Sequence, residues 1–235
     1  MQKLIVVTGG SKGIGRAIIE TFMDNGFDAV TCSRDAVQLD RVQASLQQQF
    51  PQRKLHVFKA DLSDAKEVTG FCQFVADLNR PVDVLVNNAG YFIPGEIVSE
   101  PDDTLRKLIH ANLYSAYDTT RGLIPRLRRG TGSYIFNMCS IASFKAYPNG
   151  GSYAISKFAL LGFSKCLREE LKNEGIRVSA IMPGATLTDS WAGSGHPDER
   201  FVKAEDVANA VFGAWSLSSR AVVEEIIIRP QLGDL

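Results

Sequence analysis

Tyr153 and Lys157, in the run Tyr153-Ala154-Ile155-Ser156-Lys157, set a phenol and an ammonium four residues apart. On a helix, that spacing puts both side chains on one face. A free tyrosine has a pKa of about 10, so at neutral pH it is a poor base and a sluggish acid. A fixed positive charge beside it favours the phenolate and lowers that value. Bringing the phenol to about 7 takes roughly 4 kcal/mol of differential stabilisation, a large demand on one lysine. A second cation would have to share it. The pair therefore points to proton transfer at an oxygen, with the phenol pKa expected below the free value. Standing alone, the same two residues also fit a surface helix with an exposed tyrosine and a solvated lysine.

A second chemical signal lies near the start. Thr8-Gly9-Gly10-Ser11-Lys12-Gly13-Ile14-Gly15 follows an apolar run at residues 3–8 and opens a helical pattern at 13–25. Glycines allow tight turning and close backbone approach. A helix N-terminus presents free N–H groups and partial positive charge, which suits a pyrophosphate. The spacing is Gly-x-x-x-Gly-x-Gly, and no Gly-Lys-Ser/Thr closes it as a Walker A loop would require.

The remaining elements alternate. Strand-like runs fall at 28–33, 54–59, 82–87, 133–138, 176–182 and 222–229. Helical patterns fall at 35–49, 63–78, 101–127, 152–173 and 203–216, the third with an expected interruption near Pro125. The strands are nearly continuous apolar runs, as expected when helices cover both faces. Strand–helix alternation implies a parallel sheet with right-handed crossovers. The expected fold is α/β: a doubly wound, seven-stranded parallel sheet in one domain over residues 1–235, with the site outside the carboxyl ends of the strands.

Composition narrows the function. With 26 basic and 26 acidic residues, the zero net charge argues against a dedicated nucleic-acid or anionic-membrane surface. Cys32, Cys72, Cys139 and Cys166 are widely spaced and sit in apolar stretches, so buried free thiols and a reducing compartment are expected. His56, His110 and His196 show no metal-ligand spacing, and no metal is expected. The first residues run straight into a strand, without a signal peptide or membrane-spanning run, which makes the cytoplasm the default location.

Taken in order, these motifs resemble the short-chain dehydrogenase/reductase family along nearly the whole chain. Thr8–Gly15 resembles its cofactor turn, with Gly9, Ser11, Lys12, Gly13, Ile14 and Gly15 as implied contacts. Asp61 and Leu62 resemble its adenine-contacting pair, and Asn87, Ala89 and Gly90 belong to its fourth-strand motif. Asn112, Ser140, Tyr153 and Lys157 match its catalytic positions, with the serine 13 residues before the tyrosine. Pro183 and Gly184 end the sixth strand, followed by Thr186 and Thr188 as further implied contacts. The resemblance implies a Rossmann fold that binds a nicotinamide dinucleotide. The oxidised ring would be the second cation beside Tyr153.

Residues at the end of the second strand choose between the dinucleotides. An NAD enzyme places an acid there for the ribose hydroxyls. Here Ser33 leaves room, Arg34 offers planar charge to a phosphate, and Lys12 adds a second cation. Asp35 is expected one residue too late, at the helix cap. NADP(H) is therefore the expected cofactor.

Hydride transfer to a carbonyl develops negative charge on oxygen, which needs a proton or hydrogen bond as it appears. Tyr153 is the expected donor in reduction and base in oxidation, and Ser140 the orienting hydroxyl. By resemblance, Lys157 also holds the nicotinamide ribose, and Asn112 anchors a water linking Lys157 to solvent. The expected partner is a small-molecule carbonyl or alcohol. Tyr91, Phe92, Ile93, Ile141, Phe144, Tyr147, Trp191 and His196 flank the expected nicotinamide end. Residues 189–202, with Gly193, Ser194, Gly195 and Pro197, read as a loop over the site. The helical stretches at 101–127 and 152–173 suggest a homodimer, or a homotetramer, although the chain lacks the Asp-Gly-Gly ending of oxoacyl-carrier-protein reductases. The alternatives are an epimerase or dehydratase on a nucleotide-linked sugar, and a non-catalytic dinucleotide-binding sensor.

Overall fold

The computed structural model describes residues 2–191 and 195–235. Its strands are β1 (Leu4–Thr8), β2 (Asp28–Ser33), β3 (Leu55–Lys59), β4 (Val84–Asn87), β5 (Tyr134–Met138), β6 (Arg177–Pro183) and β7 (Glu225–Ile228). Its helices are α1 (Gly13–Asp24), α2 (Ala36–Gln49), α3 (Ala65–Asp77), α4 (Thr104–Ile109), α5 (Ser115–Leu127), α6 (Gly151–Leu171) and α7 (Ala204–Ser216). All strand pairs are parallel, in the order β3-β2-β1-β4-β5-β6-β7. The expected fold class is therefore found.

Burial explains the apolar runs. Every residue of β1 is buried, because helices cover both faces. Ile5 and Val7 pack with Ile18 and Phe22 of α1 and Val207 and Val211 of α7. Leu4 and Val6 point the other way, with Val68 and Phe71 of α3 and Leu123 and Leu127 of α5. Alternate side chains of one strand thus feed two cores. Each fully buried large apolar side chain contributes about 1.5–3 kcal/mol relative to exposure. Phe22 meets Phe212 edge-on at 5.2 Å, tying α1 to α7.

The chain moves outward from β1 to β3, then returns to β4 on the other side of β1. That reversal opens a crevice beyond the carboxyl ends of β1 and β4. The Thr8 hydroxyl spans it, accepting from the backbone N–H groups of Asn88 (3.0 Å) and Ala89 (2.9 Å).

Two expectations are corrected. The 101–127 stretch does not break at Pro125, which lies inside α5 near its end, where its missing N–H costs one bond, to the carbonyl four residues before it. It changes instead at a π-helical turn, His110–Tyr114, between α4 and α5. The widened turn contains Asn112, whose side chain is captured by Tyr91 in the loop after β4 and by Ser156 of α6 rather than by its own helix. Cys32, Cys72 and Cys139 are buried, but Cys166 is exposed, on the solvent side of α6.

Candidate active site

The glycine turn is held open by its neighbours. Gly9 has φ +68°, and its N–H donates to Cys32 O at 3.0 Å. Thr31 Oγ1 accepts from the Gly10 N–H (3.0 Å) and donates to Val7 O (2.7 Å). Asn88 Nδ2 donates to Thr8 O at 2.9 Å and Gly9 O at 3.0 Å. A Cβ at position 15 would lie 2.5 Å from Asn88 Nδ2 and 2.6 Å from Gly9 O, so only glycine lets α1 approach this closely. The first turn of α1 carries no acid, and Lys12 makes no side-chain cap. Free N–H groups and positive partial charge therefore face the crevice, which fits a dinucleotide pyrophosphate. Thr188 closes the far side: its Cγ2 lies 3.2 Å from where a Gly13 Cβ would be. Ile14 packs against the core behind the turn.

Around the expected adenosine end, Ser11 Oγ donates to Ser33 Oγ at 3.1 Å. Asp35 caps α2, accepting from the Gln38 N–H at 3.0 Å, as its late position predicted. The expected phosphate cations are both engaged by carboxylates. Lys12 pairs with Asp189 at 2.5 Å and Arg34 with Asp61 at 3.9 Å. All four side chains are well exposed, so these pairs are weak and a dianionic phosphate can compete for the cations. Leu62 is buried in the core.

The Asn87 side chain does not face the crevice. Its side chain is buried and donates to Thr120 Oγ1 (2.9 Å) and Asn137 Oδ1 (2.8 Å), away from the crevice. Asn88 is the side chain that reaches the glycine turn. The doubled asparagine was visible in the sequence, but not which of the two faced the crevice. Beyond β6, the Gly184 N–H donates to Ile228 O at 2.7 Å, and Thr186 Oγ1 donates to Gly184 O at 3.1 Å.

The candidate catalytic side chains converge from three elements. Ser140 leaves β5 and starts a short turn. Its Oγ accepts from the Ala142 N–H at 3.1 Å, while Ser143 Oγ accepts from the Ser140 N–H at 3.2 Å. The Ser140 hydroxyl lies near enough to the Tyr153 phenol to act against the rise in its pKa. Lys157 is buried and donates to Met138 O at 2.8 Å, with Nζ 5.7 Å from the Tyr153 ring centroid. Asn112 Nδ2 donates to Ser156 Oγ (2.9 Å) and Tyr91 O (3.1 Å), and its Oδ1 accepts from the Tyr91 N–H (2.9 Å). A Cβ at Gly90 would sit 2.6 Å from Asn112 Oδ1 and 3.8 Å from Lys157 Nζ, so glycine keeps this corner open. Ser143 and Ser156 carried no sequence signal that marked them.

The protein's own charges do not by themselves produce the expected depression of the Tyr153 pKa. Burial pushes the Tyr153 phenol above its usual value, and the Ser140 hydroxyl opposes this without overcoming it. Burial also pushes the Lys157 ammonium down to about 8. The expected depression of the phenol pKa needed a lysine field stronger than the loss of hydration. Instead, Lys157 spends its short contact on a carbonyl. Burial likewise raises the thiol of Cys139 to about 11, which leaves it no nucleophile.

The expected pocket residues divide. Phe92 meets the Tyr153 ring edge-on at 4.8 Å. Tyr91 turns elsewhere, under the Arg34 guanidinium at 5.8 Å, because that cation offers its face a partner. Trp191 and His196 both pack near Phe201, at 5.3 and 6.5 Å. Phe144 and Tyr147 are partly exposed, and Ile141 opens the turn after Ser140. Within 189–202, positions 192–194, including Gly193 and Ser194, lie outside the described residues.

The family model described as short chain dehydrogenase matches residues 3–198. The chain is 30% identical to a sepiapterin reductase of Chlorobaculum tepidum, over 100% of this chain and 99% of that one. Among solved structures, an alcohol dehydrogenase from the archaeon Thermococcus sibiricus, complexed with 5-hydroxy-NADP, has a TM-score of 0.91. It is 27% identical and covers 100% of this chain and 99% of its own. L-sorbose reductase from Gluconobacter frateurii, complexed with NADPH and L-sorbose, gives a TM-score of 0.90 at 26% identity, covering 97% of this chain and 95% of its own. The match over residues 3–198, on a sheet and crevice of this form, places the chain in the short chain dehydrogenase family.

Proposed function

We propose that the protein is an NADP-dependent oxidoreductase acting on a carbonyl or alcohol group of a small molecule. The observation that carries this reading is the meeting of Ser140, Tyr153, Lys157 and Asn112 beside a glycine turn built for a pyrophosphate. The solved relatives complexed with 5-hydroxy-NADP and with NADPH support the cofactor. One continuous sheet and the long family match support a single cofactor-binding domain over residues 1–235. A non-catalytic sensor would have no use for the serine–tyrosine–lysine set.

When bound, the nicotinamide supplies or takes up the hydride. Tyr153 gives its proton to the carbonyl oxygen in reduction and takes it back in oxidation. The phenol is protonated at neutral pH, so the proton that reduction needs is present, although burial holds it more tightly than in free tyrosine. Ser140 keeps its Oγ fixed by the Ala142 N–H and directs its proton at the substrate oxygen. Lys157 supplies positive charge beneath the phenolate as it forms. Gly9, Ser11, Gly13, Ile14, Gly15, Asp61, Leu62, Ala89, Gly90, Pro183, Gly184, Thr186 and Thr188 would line the cofactor.

A carbonyl panel followed at the nicotinamide absorbance tests the reading, with NADPH and NADH in parallel. NADPH should be the better donor. Arg34→Ala should weaken NADPH binding roughly tenfold, the loss of one charge-assisted contact, and leave NADH little changed. Ser33→Asp should shift preference toward NADH. Equal affinity of the wild type for both cofactors would refute the charge argument.

The assembly we propose is a homodimer through α5 and α6. Tyr117 on α5 and Ile155 and Phe158 on α6 are exposed, and Tyr117 meets Phe163 at 5.6 Å, joining the two faces. Light scattering should report a dimer, and Tyr117→Glu with Phe158→Glu should give a monomer. A monomeric wild type at micromolar concentration would remove the proposal. The four cysteines are free thiols and support a cytoplasmic location. Among the described residues, no helix is long and apolar enough to cross a membrane.

A further inference from the structure

We propose that Glu100 is a positioning residue for Tyr153, acting through Ser152 at the start of α6. The proposal rests on the reading of Tyr153 as the proton donor. α6 begins without a cap of its own: Gly150 offers no side chain, and the first turn holds no acid. The first N–H groups of a helix lack intrahelical acceptors, and its N-terminus carries partial positive charge. A carboxylate reaches that end from a different part of the chain. Glu100 Oε1 accepts a hydrogen bond from Ser152 Oγ, and Ser152 is almost wholly buried. Glu100 Oε2 is buried too and has no hydrogen-bond partner among the described residues.

The surrounding backbone fits this carboxylate closely. A Cβ at Gly151 would lie 3.1 Å from Glu100 Oε2 and 2.3 Å from Gly95 O. The Gly95 N–H donates to Asn149 O at 3.0 Å. The Glu100 N–H donates to Glu96 O at 2.9 Å, closing a turn that presents the carboxylate. The β4–α4 loop and the residues just before Tyr153 are thus joined by a backbone bond and a half-buried side-chain bond.

The same loop touches Tyr153 a second time. Phe92 packs edge-on against its ring at 4.8 Å, while Glu100 holds the residue immediately before it. One loop therefore sets the ring from the side and the backbone from below. A carboxylate oxygen that is buried without a partner is costly to keep. Residual positive charge at the α6 terminus offsets part of that cost. Placement of the phenol is what the arrangement returns, because small displacements of a reacting group cost rate.

The test compares Glu100→Ala, Glu100→Gln and Ser152→Ala with the wild type and Tyr153→Phe on one carbonyl substrate. NADPH affinity is measured by fluorescence titration, and rates are expressed per folded enzyme. Glu100→Ala should lower kcat about tenfold with NADPH affinity changed less than about twofold. Glu100→Gln should recover most of the rate, because its amide oxygen still accepts from Ser152. Ser152→Ala should match the loss, and the Glu100→Ala/Ser152→Ala double variant should be no slower than either single. Wild-type kcat in folded Glu100→Ala overturns the proposal, as does a double variant whose loss is the product of the singles. If Glu100→Ala does not fold, an unchanged kcat in Ser152→Ala overturns it equally. A loss in Tyr153→Phe without one at Glu100 or Ser152 fails this proposal alone. No loss in Tyr153→Phe fails the underlying reading as well.

Discussion

Tyr153→Phe should lower turnover by about 10²–10⁴ while leaving NADPH affinity nearly unchanged. The ring stays, so the edge-on contact with Phe92 survives. Only the hydroxyl goes, and with it the polar contact that Ser140 offers. Ser140 does not collapse, because its Oγ still accepts from the Ala142 N–H and its own N–H still donates to Ser143. The glycine turn is untouched, since its contacts come from Thr31, Asn88 and Cys32. Burial holds the wild-type phenol protonated at neutral pH, so the substitution removes a proton that is present and poised. Steady-state rates and a fluorescence titration on the same preparations separate chemistry from binding. Comparable rates for the two proteins would take Tyr153 out of the mechanism.

The parts of this site that could be read from the sequence share a physical property: they are local. The glycine turn, the Tyr153–Lys157 spacing and the Asp35 cap each depend on residues within one turn of each other. Strand runs were legible because burial on both faces removes polar residues from them, as in β1. The missed features are pairings across the fold. Lys12 and Asp189 are 177 positions apart, and Glu100 and Ser152 are 52 apart, so no periodicity connects them. That Lys157 alone does not lower the Tyr153 pKa was hidden for a related reason. Sequence shows that a lysine lies one turn away. It does not show that the lysine is buried and donates to Met138 O. Asn87 and Asn88 show the limit of strand alternation: it says that the two face opposite ways, not which one faces the crevice.

Lys157→Met should nearly abolish turnover and yet stabilise the cofactor-free protein. Lys157 is buried, and loss of hydration pushes its pKa from 10.5 to about 8. The unfolded chain keeps the ordinary value. Below about 8, both states carry the charge, and the folded state bears the full cost of burying it. That cost is about 3 kcal/mol for a shift of this size. Between about 8 and 10.5, the unfolded chain binds more protons than the folded one, so stability rises with pH across that window. Above it, both states are neutral and the cost is gone. Methionine has no charge to bury and a similar length, but it leaves Met138 O without its donor, a loss of about 1 kcal/mol. The variant should therefore be about 2 kcal/mol more stable at pH 7, with the gain fading as pH rises through the window. Tyr153 works in the opposite sense: its raised pKa removes stability above the ordinary tyrosine value. That contribution is largely common to both proteins, so it drops out of their difference. Urea unfolding at pH 7 and pH 9.5 reads the effect directly. A variant less stable than wild type at pH 7, or a difference independent of pH, would mean that the lysine is not held charged at a cost. A lysine that the fold would be more stable without is kept for its chemistry, and its position beneath the phenol says which chemistry that is.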